Sequence, residues 1–425
     1  MLGETPAFVQ NPYRFLEDRR RRYGDVFTSN VAGHKVVFLS GRQGAEAFYD
    51  AENVTRSEAH PFLMVDMFGG TNFEMYDGPR HLALKTVALD AFDRAAMARY
   101  LPDMQRLIES TLERLARLGS FSATAELRRL AVEAICLNVM GLSPGVETTA
   151  MAKDYGTMLA GLASRVPVRI PGTPYGRAMA GRDRLLARIR AIVEARRVTP
   201  GSDGLSRMLG TSGPDGRTYT DDEAILEIHH VVVAGFVVYS LMGEVLRHLA
   251  QQQRVRDRCR EEVEKCAPSG SISIDSMKHL QLSTQVVLEA KRWTPLVPLA
   301  FGRARRAFDC GGHPVPQGWR VYLALHLINR DPEVYANPEA FDPDRFGPGR
   351  AEHMAHLLAF IPQGAGPPTG HQCLGLDYST FLVLAFLALL VRGYDWDLPS
   401  QDLRFDWTKR PPEPRDGLRV ELRAR

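Results

Sequence analysis

A chain of 425 residues that is 44% hydrophobic and 24% charged, with a formal net charge of +3, can build a large core and gives no electrostatic argument for nucleic acid. Its five cysteines, Cys136, Cys259, Cys266, Cys310 and Cys373, are scattered, odd in number and never paired as C-x-x-C, which argues against zinc or a disulfide framework and points to a reducing cytoplasm. No run of eighteen apolar residues offers a membrane span and the N-terminus lacks signal-peptide features, so the expectation is one soluble cytoplasmic domain over residues 1–425.

Residues 7–23 are amphipathic and end in Arg19-Arg20-Arg21-Arg22, a run that could grip nucleic acid but that Glu17 and Asp18 mark as a solvated helix face. Val26 to Ser29 and Val36 to Ser40 alternate enough to be two strands about a turn at Gly33. From Gly41 helices dominate, expected over 43–50, 92–117, 121–140, 145–162, 174–197, 221–252 and 276–293, with Gly and Pro breaking the pattern at 118–120, 164–173 and 198–217. Between His60 and Met75 the residues Phe62, Leu63, Met64, Val65, Met67, Phe68 and Phe73 stand around Gly69 and Gly70 with no clean period. A loop this apolar is either ordinary buried chain or the cover of a ligand pocket. Pro79 then opens a helix on which His81 and Lys85, four apart, set two cationic donors on one face.

The helix that begins at Thr220 carries a capping box with Glu223. Its centre holds Val231-Val232-Val233-Ala234-Gly235, poor helix formers that only tertiary burial can keep helical. A spacing of four puts His230, Ala234 and Val238 on one stripe, with His230 either lining a pocket or satisfied within the core. Farther on, Glu289 and Arg292 face each other at i and i+3 on a helix that Pro295 ends, by themselves an ordinary ion pair. After the apolar run Leu296 to Phe301, a hairpin about Gly311-Gly312 and the turn at Gln317-Gly318 complete a small sheet.

The stretch Phe360 to Gly375 is crowded with Gly and Pro and cannot be regular helix or strand. It leads into the apolar segment Leu376 to Val391, read as a buried helix with Cys373 just before its first turn. The helix dipole and free loop amides there stabilise a thiolate, as an axial ligand to haem iron requires.

In Phe360, Gly364, Gly366, Cys373 and Gly375 this loop resembles that of the cytochrome P-450 (haem-thiolate) superfamily, and the chain is similar to its soluble bacterial type. The usual loop is shorter and carries Arg where this chain has His371. The longer form ending Gly-His-x-Cys resembles the bacterial fatty-acid peroxygenase branch. The resemblance implies a mainly α fold with small β-sheets, in which a helical core sandwiches haem b (iron protoporphyrin IX) and Cys373 ligates the metal. It implies haem contacts for His81, Lys85, Arg303 and His371, with Lys85 a point charge where the family has a guanidinium fork. Arg345, in the segment Asn337 to Phe346, joins Glu289 and Arg292 in the family's buried triad, which pins the chain leading to the cysteine loop. The segment His60 to Met75 becomes the roof of a substrate pocket lined by Phe62, Phe68, Phe73, His230, Val237, Leu296, Val297 and Leu299. The long helix becomes the one that crosses the distal haem face. Ala234, Gly235 and Val238 are its catalytic positions, and the family's Ala-Gly-x-acid-Thr is written here with Val237 at the acid and Val238 at the Thr.

Neither valine can donate or accept the protons that dioxygen activation consumes. Three explanations follow: a monooxygenase served by ferredoxin and reductase in which the substrate's hydroxyl or His230 organises water; a peroxygenase driven by hydrogen peroxide; or a non-oxygenating enzyme of rearrangement or dehydration chemistry. The peroxygenase branch fixes a fatty-acid carboxylate with an Arg-Pro pair on this helix, and Val233 to Ser240 contains no Arg, which speaks against a fatty acid held in that manner. The expected function is peroxide-driven or substrate-assisted oxidation of an apolar small-molecule metabolite. A degenerate binding domain is a further alternative, against which retention of Cys373, Glu289, Arg292 and Arg345 argues.

Overall fold

Strands Val26–Val31 and His34–Leu39 form an antiparallel hairpin about Gly33, slightly longer than the sequence suggests. The computed structural model describes residues 3–164, 167–268, 270–294 and 296–425. In it the hairpin opens a five-stranded sheet continued by Arg320–Leu323, Ala300–Ala304 and Val54–Thr55, in that spatial order. Alternation along His34–Leu39 buries both faces: Val36 and Phe38 pack with Phe15, Leu299 and Tyr322, whereas Val37 and Leu39 pack with Phe48 and Val321. A second hairpin, Phe308–Cys310 with His313–Val315, turns at Gly311-Gly312 as expected.

Helices Arg94–Leu118, Ala123–Met140, Val146–Ala160 and Pro174–Val198 lie close to their expected bounds. Others depart from expectation. The span 221–252 is two helices, Asp221–Phe236 and Tyr239–Gln251, and the span 276–293 shortens to Gln281–Trp293 behind a separate turn, Ile274–Met277. The expected break at 198–217 contains the helix Gly204–Gly210, capped by Asp203 on the Ser206 amide. A further helix, Gln253–Cys266, is mostly charged and half-solvated. The expected loop His60 to Met75 holds the helix Phe62–Phe68, ended by left-handed Gly69, and a 3₁₀ turn, Phe73–Met75. Pro295, the expected helix stop, lies outside the described residues. The arginine run is a solvated helix face: Arg19 pairs with Glu4, Arg20 with Asp25 and Asp331, and Arg21 with Asp18.

Two apolar helices organise the rest. Leu376–Gly393 packs against Arg94–Leu118, Gln253–Cys266 and Gln281–Trp293, and Asp221–Phe236 packs against Ala123–Met140 and Pro174–Val198. By length and composition Leu376–Gly393, and Asp221–Gln251 taken through its break, could cross a membrane, yet 67% and 78% of their apolar windows are buried inside the fold. They are core helices.

Glu289, Arg292 and Arg345 are fully buried. Arg292 donates to both Glu289 oxygens, from Nε at 2.6 Å and Nη2 at 2.8 Å, and Arg345 Nε donates at 3.2 Å. The remaining guanidinium N–H groups clamp carbonyls of one meandering segment: Arg292 holds Pro338 at 2.9 Å and Asn329 at 3.1 Å, and Arg345 holds Ala336 at 2.9 Å. The segment is then tied to the cysteine loop, because Tyr335 Oη donates to the Ala359 carbonyl at 2.9 Å and Ile361 N donates to Asn329 Oδ1 at 3.2 Å. Replacing Arg292 by Ala leaves a carboxylate short of a partner and the Asn329 and Pro338 carbonyls unbonded, so it should cost about 3 to 5 kcal/mol in denaturant unfolding. A soluble Arg292→Ala protein of parental stability would contradict this role.

Candidate active site

The loop before Leu376–Gly393 is folded around one sulfur. Gly364 is left-handed (φ +80°), and a Cβ there would lie 2.6 Å from the His371 carbonyl, so no side chain fits. That close approach lets Cys373 N donate to the Gln363 carbonyl at 2.9 Å and brings Gln363 Nε2 to 3.6 Å from Cys373 Sγ. Burial pushes the Cys373 thiol up, opposed by the Gly375 amide, the Lys291 ammonium and the Gln363 amide, all of which favour thiolate. The other four cysteines are free, and for Cys136, Cys259 and Cys310, which are buried, the thiol is held well above its ordinary range by burial.

The cationic residues converge on this loop. Lys85, fully buried, donates to the Gly370 carbonyl and, at 2.6 Å, to that of Gln372. Burial lowers its pKa to about 8, against the pull of Cys373 and Glu74. His81 Nε2 lies 3.2 Å from the Gly370 carbonyl and Nδ1 lies 2.7 Å from that of Phe73. The His81 and His371 rings are tilted at 38° to each other with centres 4.2 Å apart. His371 Nε2 sits 3.0 Å from Asp77 Oδ1, while its Nδ1 is buried without a partner. Burial lowers the His371 pKa to about 4 despite Asp77. Arg303 stands apart: half-exposed, it donates to Glu58 at 2.6 Å and to the Gly318 carbonyl at 3.2 Å. Buried Arg56, not singled out by the sequence reading, holds the Phe301 carbonyl at 2.6 Å beside Tyr49.

On the other side of the cleft the helix is interrupted at the two valines. Val238 N turns to the Gly235 carbonyl at 3.3 Å, and Leu241 N to that of Val238 at 3.0 Å, tighter i to i−3 links that replace the regular ladder. The expected stripe of His230, Ala234 and Val238 therefore ends at Ala234. Val238 is 2% exposed and belongs to the core, Val237 is half-buried, and Ala234 is exposed between buried Val233 and Gly235. Gly235 faces away from the cleft, since a Cβ there would meet the Ile135 side chain at 2.6 Å.

Two other expected lining residues do not line a pocket. Leu299 is 3% exposed and packs under the five-stranded sheet with Phe15 and Tyr322, because it continues the inward face of strand Ala300–Ala304. Phe62 is 58% exposed at the start of its short helix. Leu296 packs on the main core, and Val297 is 45% exposed. Phe68 and Phe73 do converge on His230, with ring centres 5.3 Å and 5.0 Å away.

His230 brings in a residue that the sequence reading passed over. Its Nε2 lies 3.4 Å from Glu74 Oε2, His60 Nε2 lies 3.9 Å from the other Glu74 oxygen, and Glu227 Oε2 stands 3.9 Å from His230 Nδ1. Burial works against charge on His230, yet Glu227 and Glu74 raise its pKa to about 9. For Glu74 burial is likewise the largest influence, and the two imidazoles outweigh it and hold the carboxyl well below its usual range. Half of the Glu74 side chain is nevertheless accessible, and its charge is felt at Cys373 and Lys85. Glu74 therefore sits close enough to the cysteine loop for its charge to act there. His229, the neighbour, is a core histidine, kept neutral by burial with a pKa of about 4 and placed 3.3 Å from the Met67 carbonyl.

These residues fit an iron cofactor bound through sulfur: Cys373 is surrounded by N–H donors and a cation, Ala234 is exposed on its helix, and His371 Nδ1 is a buried polar atom without a partner among the described residues. The family model described as Cytochrome P450 matches residues 1–411. Putative cytochrome P450 120 of Synechocystis sp. is 28% identical over 430 residues, spanning all of this chain and 95% of the relative. A solved structure of retinoic acid bound cyanobacterial CYP120A1 matches with TM-score 0.91 at 26% identity, over 100% of this chain and 97% of the other. Cytochrome P450EX alpha (CYP152N1) with myristic acid shares the fold at TM-score 0.83 and 22% identity, over 99% and 97%.

The His230 pKa of about 9 lies above its ordinary 6.5, so the ion pair's contribution to stability is full below pH 6.5 and is lost as pH rises through about 9. His230→Gln should lower the thermal midpoint relative to the parent below pH 6.5 and converge with it above pH 9. A difference independent of pH in thermal melts would mean that the imidazole acts through packing alone.

Proposed function

The chain belongs to the cytochrome P450 family, so it is a haem-iron enzyme of that type, and we propose that it oxidises an apolar small-molecule metabolite with hydrogen peroxide, its protons handled by Glu74 and His230 rather than by the distal helix. The observation that carries the reading is the pairing of hydrocarbon at Val237 and Val238 with a half-accessible carboxylate at Glu74, 3.4 Å from His230.

Haem b, held through Cys373, supplies the oxidising chemistry when bound. His371 Nδ1 and the third Lys85 donor would meet its propionates, whereas both His81 ring nitrogens face the Phe73 and Gly370 carbonyls and Arg303 is engaged with Glu58 and the Gly318 carbonyl. In that reading Lys85 and His81 also brace the cysteine loop through its carbonyls. Val237 leaves the wall beside Ala234 without a proton donor, while Val238 is withdrawn into the core, and a dry wall strengthens the field of the charges in the cleft. Glu74, kept ionised by His230 and His60, takes a proton from one oxygen of hydrogen peroxide and returns a proton to the other, which leaves as water. The substrate gains the remaining oxygen, so substrate and peroxide give oxygenated product and water. Phe68, Phe73 and Val297 favour an apolar substrate, as does retinoic acid in the 26% identical structure. Free, buried thiols support a reducing compartment.

Hydrogen peroxide alone should support turnover of an apolar substrate, and Glu74→Gln should lower that rate by about a hundredfold or more at unchanged haem content. Turnover that requires dioxygen, ferredoxin, reductase and NAD(P)H, with peroxide inert, would overturn the reading in favour of a reductase-served monooxygenase.

A further inference from the structure

A cation with no carboxylate partner among the described residues is buried beneath the cysteine loop. Lys291 is 2% exposed, on the helix that carries Glu289 and Arg292. Its Nζ donates to Thr380 Oγ1 at 2.7 Å, to Ser379 Oγ at 3.2 Å and weakly to the Leu376 carbonyl at 3.4 Å. Two hydroxyls and a carbonyl solvate an ammonium only in part, and a buried charge normally requires a counter-charge. The charges that act on it are first Cys373 and then the exposed Asp377.

A hydrogen-bonded path connects the two. Ser379 Oγ donates its only proton to the Leu376 carbonyl at 2.9 Å, so towards Lys291 and towards Gln363 Nε2, 3.2 Å away, it can only accept. An acceptor at that place fixes which end of the Gln363 amide faces inward. The NH₂ end must, and the same nitrogen is the one 3.6 Å from Cys373 Sγ. Lys291 thus occupies the second lone pair of the serine that orients the amide donor on the sulfur.

We propose that Lys291 is the counter-cation of the Cys373 thiolate and acts through Ser379 and Gln363 to hold the sulfur anionic and restrain its electron donation to iron. The inference rests on Cys373 being the iron ligand. Lys291 is a positioning residue, since it reaches the metal only through other groups. One-electron reduction adds negative charge to the haem-thiolate unit, which a nearby cation favours, so removing the cation shifts the potential downward.

The test is a spectroelectrochemical titration of haem-loaded parent, Lys291→Met and Lys291→Arg, with the reduced carbon monoxide complex recorded for each. Lys291→Met should reduce the equilibrium constant for reduction roughly tenfold, about 59 mV more negative for a one-electron couple, and a larger share of its carbon monoxide complex should lose the red-shifted Soret band of thiolate ligation. Lys291→Arg should return both towards the parent. A Lys291→Met protein with parental potential and band, or a Lys291→Arg protein displaced as far as Lys291→Met, overturns the proposal. Should Lys291→Met not retain haem, Ser379→Ala keeps the cation and cuts the path: a downward shift supports the proposal and an unchanged potential overturns it. A parent without the red-shifted band would instead overturn the ligand assignment itself.

Discussion

Glu289 has no contact with solvent, and its charge is tolerable only because Arg292, Arg345 and the Asp342 amide share its two oxygens. Such a network is a poor source of net stability but a strong source of position, because every remaining N–H of the two guanidiniums must find an acceptor. Apart from the Asn329 carbonyl and the Glu352 carboxylate, the acceptors are carbonyls of residues 336–340, a stretch with no regular secondary structure of its own. From there Tyr335 and Asn329 reach Ala359 and Ile361, and the loop that they anchor can afford its Gly-rich geometry around Cys373.

The two walls of the cleft then follow opposite electrostatic rules. Below the sulfur, polar groups are plentiful: Lys291, Ser379, Thr380 and Gln363 form a linked set of donors and acceptors whose net charge is positive. Above it the helix shows hydrocarbon where a proton relay would sit, and its interrupted ladder at Val237 and Val238 turns one of those side chains into the core. Charge returns only at the rim, where Glu74 is held between His60 and His230. The Lys291 ammonium below and the Glu74 carboxylate, held ionised by its imidazoles, at the side are charges fixed in place, which is how a low-dielectric site directs protons.

Much of this was legible in the sequence where the determinant is local. The Cys373 loop, the Thr220 and Glu223 cap, and the spacing of Glu289 with Arg292 are short-range patterns, and each forms as written. Arg345 became legible only through family resemblance, since nothing local links it to a carboxylate 56 residues away. What failed depends on packing across the chain. Four-residue spacing cannot anticipate that the ladder breaks at Val237, so Val238 was given a face it does not have. The resemblance placed Leu299 in the pocket, whereas sheet alternation sends it under Tyr322. The charged helix Gln253–Cys266 carries too thin an apolar stripe to stand out, with only Arg256, Cys259 and Val263 buried. Glu74 carried one faint signal, a single charge between Phe73 and Met75, and Lys291, beside Arg292, carried none; the meaning of each appears only once His230 and Ser379 are brought beside them.

The central claim is that all of this architecture serves to place one anionic sulfur on iron. Iron K-edge X-ray absorption of the purified ferric protein reads that directly. The account predicts one sulfur bound to the iron in the parent and none in Cys373→Ser. Iron coordinated only by nitrogen and oxygen in the parent, or sulfur ligation that survives in Cys373→Ser, would contradict it.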